Sequence, residues 1–274
     1  MAATGGTLTF LKRGSWPAHE RPYELLFQPP GSSFPVSNYS VIQVPNVPIY
    51  DLRSLKDKLS LDREGFLVAD IDTSMEYEDY FDQDKLKTTY MPKIKTFLKE
   101  KLGVRAVYVH ECVIRQSGGK GGHSGSFGKP VPNVHTDYTH DYALKLLEQL
   151  TGDKAQAEAI KSSRIQMLNI WKPLRGPVRS WPLALCDLRS LNREDVIPFD
   201  EVHAKGVLES QQVAYSPSQK WYYLPNQNPN EIIVFKSMDT AVRGEVAHGS
   251  FYDPKCPNDG PARESIELRI LVVY

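Results

Sequence analysis

The chain has 274 residues, 41% of them hydrophobic and 24% charged, and its Lys plus Arg and Asp plus Glu are balanced at 33 each. That is ordinary globular composition, with enough apolar mass for a sizeable core, and it excludes a disordered chain. Without excess positive charge there is no ground for a nucleic-acid partner or an anionic membrane, so a ligand has to be recognised locally.

Cys112, Cys186 and Cys256 are an odd number without CxxC spacing, which speaks against a disulfide framework and a zinc knuckle. No apolar run approaches the length of a membrane span, and the first residues show no cleavage-site pattern, so a cytoplasmic protein is expected.

In chain order, residues 1–62 are rich in Pro, Ser and aromatics and hold short strand-like runs, TLTFL and YELLF, between breakers. They are expected to form an N-terminal arm or flanking layer. Residues 63–103 supply a strand, GFLVADI, and then a supporting helix. In that helix Leu86, Tyr90, Ile94, Phe97 and Leu98 recur at helical spacing, Pro92 introduces a kink and Gly103 is a natural C-cap. Residues 104–274 read as the core. Strands are expected over Val104–Gln116, Ser163–Trp171, Glu231–Lys236 and Arg263–Tyr274, with another pair around a turn in VAYSPSQKWYYL. Only HDYALKLLEQL, from His140, and DKAQAEAIKS interrupt them as helices. Strands without regularly alternating helices exclude a parallel βαβ fold. The expectation is one mainly β domain with flanking helices and a double-stranded β-helix, or jelly-roll, core.

The glycine-rich segment Gly118–Pro130 is not a phosphate loop, because Gly128-Lys129 is followed by Pro130 rather than Ser or Thr. A loop at the barrel mouth is expected there.

The stretch PNVHTDYTH places His135 and Asp137 two apart, so on an extended chain both leave one face and can share an ion. The competing reading is a turn in which Asp137 caps the helix starting at His140. Two histidines and one carboxylate on one face of an iron leave three positions open, the arrangement of non-haem Fe(II) oxygenases. His248, in EVAHGSF, supplies the second histidine, and His203, in the charged and turn-like DEVHAKG, is its rival. On the final strand Arg263 and Ser265 share a face and suit a carboxylate ligand.

HxD, a distal His and RxS on the last strand, together with NIWKPLRGPV, PLALCDLRS, NEIIVFKSMDT and HGSFYDP, resemble the Fe(II)/2-oxoglutarate-dependent oxygenases. The likeness runs from Val104 to Tyr274. It points to the fungal and bacterial hydroxylase/desaturase branch that includes gibberellin desaturase and the meroterpenoid endoperoxide-forming enzymes. The resemblance implies Fe(II) on His135, Asp137 and His248, and 2-oxoglutarate with its far carboxylate on Arg263. It also implies O2 as oxidant and a small, largely apolar metabolite as substrate, with homodimers common in the family. Arg269 competes with Arg263 as anchor. Six residues along a strand span roughly 20 Å, so the two arginines do not serve one carboxylate, and Arg269 is assigned to a structural ion pair. Asn169 and Trp171 share a face and are expected to line the cofactor pocket, and Phe127 and Tyr138 to touch substrate. A non-catalytic jelly-roll binding module, or a metal enzyme without 2-oxoglutarate, stays open at this point.

Overall fold

A computed structural model describes residues 3–27, 30–31, 33–116, 127–128, 130–242, 244–255 and 262–274. In chain order the strands begin with β1 (Ala3–Leu11), β2 (Tyr23–Leu25), β3 (Val41–Asp51), β4 (Phe66–Asp70), β5 (Ala106–Gln116), β6 (Phe127–Gly128) and β7 (His135–Thr136). They continue with β8 (Ile165–Pro173), β9 (Leu183–Cys186), β10 (Val196–His203), β11 (Gly206–Val213), β12 (Trp221–Tyr223), β13 (Glu231–Asp239), β14 (His248–Ser250) and β15 (Glu264–Val273). The helices are α1 (Gln83–Lys85), α2 (Met91–Leu102), α3 (His140–Thr151) and α4 (Lys154–Lys161).

The strands form two sheets. The larger runs β1-β3-β12-β9-β14-β7-β11-β10-β2 and the smaller β4-β13-β8-β15-β5-β6. Strict alternation sorts the smaller sheet's side chains. On β13, Ile232 and Val234 join a cluster with Tyr90, Ile94 and Leu98 of the helical segment, whereas Ile233 and Phe235 face the other way, into a core shared with Leu183 and Leu185 of β9. Likewise Leu168 and Ile170 of β8 pack towards the helix and Trp171 packs inward. β8, β13 and most of β15 are buried on both faces, which is why they read as near-continuous apolar runs.

The N-terminal residues are built into the larger sheet rather than lying outside it as an arm. β1 pairs with β3, β3 pairs with β12, and β2 pairs with β10 at the opposite edge. β1 and β2 are the two edge strands of this sheet, and an edge strand needs only one apolar face. The helix expected before Gly103 is divided: α1 and α2 are separated by a π-helical turn at Leu86–Tyr90. Pro92, in the first turn of α2, has no N–H to carry the ladder backwards, so the preceding turn widens. Gly103 ends α2 with φ of 69°, the expected left-handed cap. The segment around His203, expected as a turn, is an antiparallel hairpin of β10 and β11. One polar, solvent-facing side hid its strand pattern, and His203 lies exposed at its tip. Of the glycine-rich segment, 117–126 and Lys129 lie outside the described residues, as does Cys256.

Candidate metal centre

β7 and β14 are antiparallel neighbours in which His135 and His248 are direct cross-strand partners. Their rings come to 4.3 Å between centroids. Gly249 permits the close strand approach, since a Cβ there would meet Pro132 O at 3.3 Å and Asn133 O at 3.4 Å. His135 Nδ1 donates to Asn133 O at 2.8 Å and His248 Nδ1 to Val246 O at 3.0 Å. A carbonyl only accepts, so each Nδ1 carries a proton and Nε2 is the ring nitrogen left for a metal. Burial, then the neighbouring His248, pushes the His135 pKa down to about 4, so this imidazole is neutral near pH 7.

Asp137 completes the group. One ligand atom from each of His135, Asp137 and His248 lies within 4.8 Å of the others. The cap reading fails on geometry, because Thr139 is the N-cap of α3, its Oγ1 accepting from Tyr142 N at 3.2 Å, and His140 is simply the first helical residue. Asp137 is instead held by three side chains, one each from β15, β8 and β13. Arg269 Nη2 donates to Oδ1 at 2.7 Å, while Asn169 Nδ2 donates to Oδ2 at 2.5 Å and Ser237 Oγ lies 3.2 Å from it. Burial alone would raise the Asp137 pKa, but Arg269, then His248 and His135, hold the carboxylate well below its ordinary range. Two imidazole Nε2 atoms and one ionised carboxylate, converging and mostly buried, fit a divalent first-row ion.

A pocket opens beside the triad, lined by His135, His248, Trp171, Phe235, Leu183 and Arg263 among others. Arg263 is buried over the Trp171 ring at 5.5 Å and donates through Nη1 to Trp181 O at 2.6 Å. It has no carboxylate within ion-pair distance among the described residues, and its Nε and Ser265 Oγ are buried without a hydrogen-bond partner. Burial, then the neighbouring Arg115, lowers the Arg263 pKa to about 9. Arg269 is the opposite case. It pairs with Asp137, Glu111 and Glu267, which keeps it protonated against its burial.

Trp171 lines this pocket, and Asn169 donates to the Asp137 carboxylate. Tyr138, expected to touch substrate, is 2% exposed, stacks on Tyr142 and packs with Leu146 and Leu147 of α3, because the chain turns into that helix immediately after Asp137. The side chain of Phe127 lies outside the described residues. Ser237, Glu267 and Arg115 were missed. A signal existed for Glu267: Arg263, Ser265, Glu267 and Arg269 recur with period two between Ile266, Leu268 and Ile270, a polar stripe on one face of an apolar strand.

Comparisons with known proteins agree with this geometry. A family model described as "Oxidoreductase/YMDC permease-like domain" matches residues 8–273. Among the described residues no helix is long and apolar enough to cross a membrane. The Fe(II)/2-oxoglutarate-dependent dioxygenase nvfI of Aspergillus novofumigatus is 30% identical over 82% of this chain and 82% of its own. The hydroxylase/desaturase efuI of Hormonema carpetanum is 29% identical over 83% of each. The solved structure titled "iron and alpha-ketoglutarate-dependent endoperoxidase NvfI" superposes with a TM-score of 0.87 at 26% identity, covering 99% of this chain and 98% of that one. Sequence, fold and donor set converge: the chain belongs to this oxidoreductase family as an Fe(II)/2-oxoglutarate-dependent dioxygenase, an enzyme of jelly-roll fold that uses Fe(II), 2-oxoglutarate and O2.

Proposed function

We propose that His135, Asp137 and His248 hold the Fe(II), that Arg263 and Ser265 bind the far carboxylate of 2-oxoglutarate, and that the single domain oxidises a small, largely apolar specialised metabolite. The observation that carries the anchor assignment is that Arg263 lines the pocket with His135 and His248 while its Nε, and Ser265 Oγ two residues on, are buried without a partner. Buried donors without partners cost about 1–3 kcal/mol each, a cost that an arriving carboxylate removes. Arg269 Nε is also buried without a partner, but three carboxylates already balance that guanidinium, whereas Arg263 has none among the described residues.

When bound, iron and 2-oxoglutarate supply the oxidation of a C–H bond by O2, with release of succinate and carbon dioxide. The chain supplies the positioning. The Nδ1 bonds to Asn133 and Val246 fix both imidazoles, and Val131, Leu183, Phe235 and Trp171 give the pocket an apolar wall that excludes water. The activities in the relatives' names support hydroxylation, desaturation or ring or endoperoxide formation as the outcome, on a terpenoid, meroterpenoid or polyketide, the substrate class that the sequence resemblance implies. A cytoplasmic site suits the free thiols of Cys112 and Cys186.

Protein purified anaerobically, loaded with Fe(II) and given 2-oxoglutarate and O2 should release succinate slowly even without substrate. The His135→Ala protein should release none and bind iron weakly. A silent wild type, with iron binding equal in His135→Ala, would end this reading.

A further inference from the structure

We propose that Arg269 is a positioning residue for the metal's carboxylate: it occupies Asp137 Oδ1 and so turns Oδ2 towards the two imidazoles. The inference rests on the triad being the iron site. It goes further by giving a role to a residue that the sequence assigned only to a structural ion pair.

The two carboxylate oxygens have different surroundings. Oδ2 is the one near the histidines, 3.8 Å from His248 Nε2, and Oδ1 is the one on Arg269 at 2.7 Å. The donors at Oδ2 are adjustable. Ser237 has one hydroxyl proton and two acceptors within reach, Asp137 Oδ2 at 3.2 Å and Asn169 Oδ1 at 3.1 Å. When that proton turns to Asn169, Oδ2 keeps only the Asn169 bond and has a lone pair for a metal. Nothing comparable frees Oδ1, because a guanidinium is always charged and holds its donors in a rigid fork.

Arg269 is itself fixed from several sides. Glu111 and Glu267 flank it, and its guanidinium carbon lies 5.6 Å from the centroid of the buried Tyr138 ring. On the facing strand Asn169 is its register partner, so β8 and β15 deliver both holders of Asp137 from paired positions. Without the guanidinium the carboxylate is free to rotate and offer both oxygens, and it faces Glu267 with no cation between them.

Co(II) binding tests this without turnover, by titration and by the visible spectrum, which reports coordination number and geometry. Arg269→Gln should bind Co(II) about ten- to hundredfold more weakly, the usual consequence of losing a ligand's supporting partner, and should show an altered spectrum. Arg269→Lys keeps the charge but lacks the fork that reaches Asp137 and both glutamates. It should fall between wild type and Arg269→Gln, and it decides the matter if Arg269→Gln does not fold. Folded variants with wild-type affinity and spectrum would overturn the proposal. So would tighter binding, which would make Arg269 a repulsive charge rather than a positioning group. His135→Ala separates the two levels: if it binds Co(II) like wild type, the triad reading itself falls, whereas its loss beside an unaffected Arg269→Gln sinks only the role of Arg269.

Discussion

Asp137 and Thr139 divide two roles that the sequence left in competition. Thr139 satisfies the first N–H groups of α3, and this leaves the Asp137 carboxylate to the histidines and Arg269. The HxD spacing made the metal corner legible, because alternation on an extended chain is a local property. The Arg269–Asp137 pair was not legible. It depends on the register that sets Asn169 opposite Arg269, and no local pattern encodes a register between strands so far apart in sequence. The packing of Tyr138 was not legible for a related reason, since the direction of the chain after Asp137 is decided by packing against α3. At this scale the two arginines should separate in binding experiments. Arg263→Ala should raise the 2-oxoglutarate requirement by about ten- to a hundredfold, the worth of a charge-assisted pair, while leaving Co(II) affinity near wild type. A loss of metal with no change in 2-oxoglutarate requirement would exchange the roles of Arg263 and Arg269.

Among the elements, those long enough to show a period were readable and the short ones were not. β8, β13 and β15 announced themselves as apolar runs, and α3 and α4 by helical spacing. β7, with two residues, and β14, with three, are too short to show any period, yet they carry the histidines. The site was found through side-chain chemistry rather than strand pattern. β13 ends in a clamp that makes a pH prediction. Asp239 accepts from Arg164 at 2.6 Å, from Gln166 at 2.7 Å and from the backbone of Ala241 at 2.9 Å, tying the end of β13 to β8. Burial opposes ionisation here, but Arg164 and then Gln166 overrule it and lower the pKa to about 2. A carboxylate whose folded pKa is depressed stabilises the fold above its unfolded value, near 4, and that stability is lost as pH falls from about 4 towards 2. The Asp239→Asn protein should be less stable at pH 7 by on the order of 2 kcal/mol, and the gap should close on acidification. Thermal melts of both proteins from pH 7 to pH 2.5 check this, and parallel curves would contradict it.

For the whole molecule, composition and strand order were enough to expect one mainly β fold with helices outside it. The place of the N-terminal residues was not, because β1 and β3 find partners far along the chain, at β12 and Tyr252. Long-range pairing of this kind also builds the centre. β7 and β14 come together in the larger sheet, while β8 and β15 bring Asn169 and Arg269 from the smaller one, so the candidate metal centre lies between the two. The central claim is that the pocket lined by His135, His248 and Arg263 takes a metal at the triad and the far carboxylate of 2-oxoglutarate at Arg263. The most direct test is an anaerobic crystal structure with Mn(II) in place of iron and 2-oxoglutarate. The account predicts metal density bridging His135, Asp137 and His248, with the far carboxylate on Arg263 and Ser265. Metal held by other residues, or a carboxylate bound at Arg269 with Arg263 still tied only to Trp181, would contradict it.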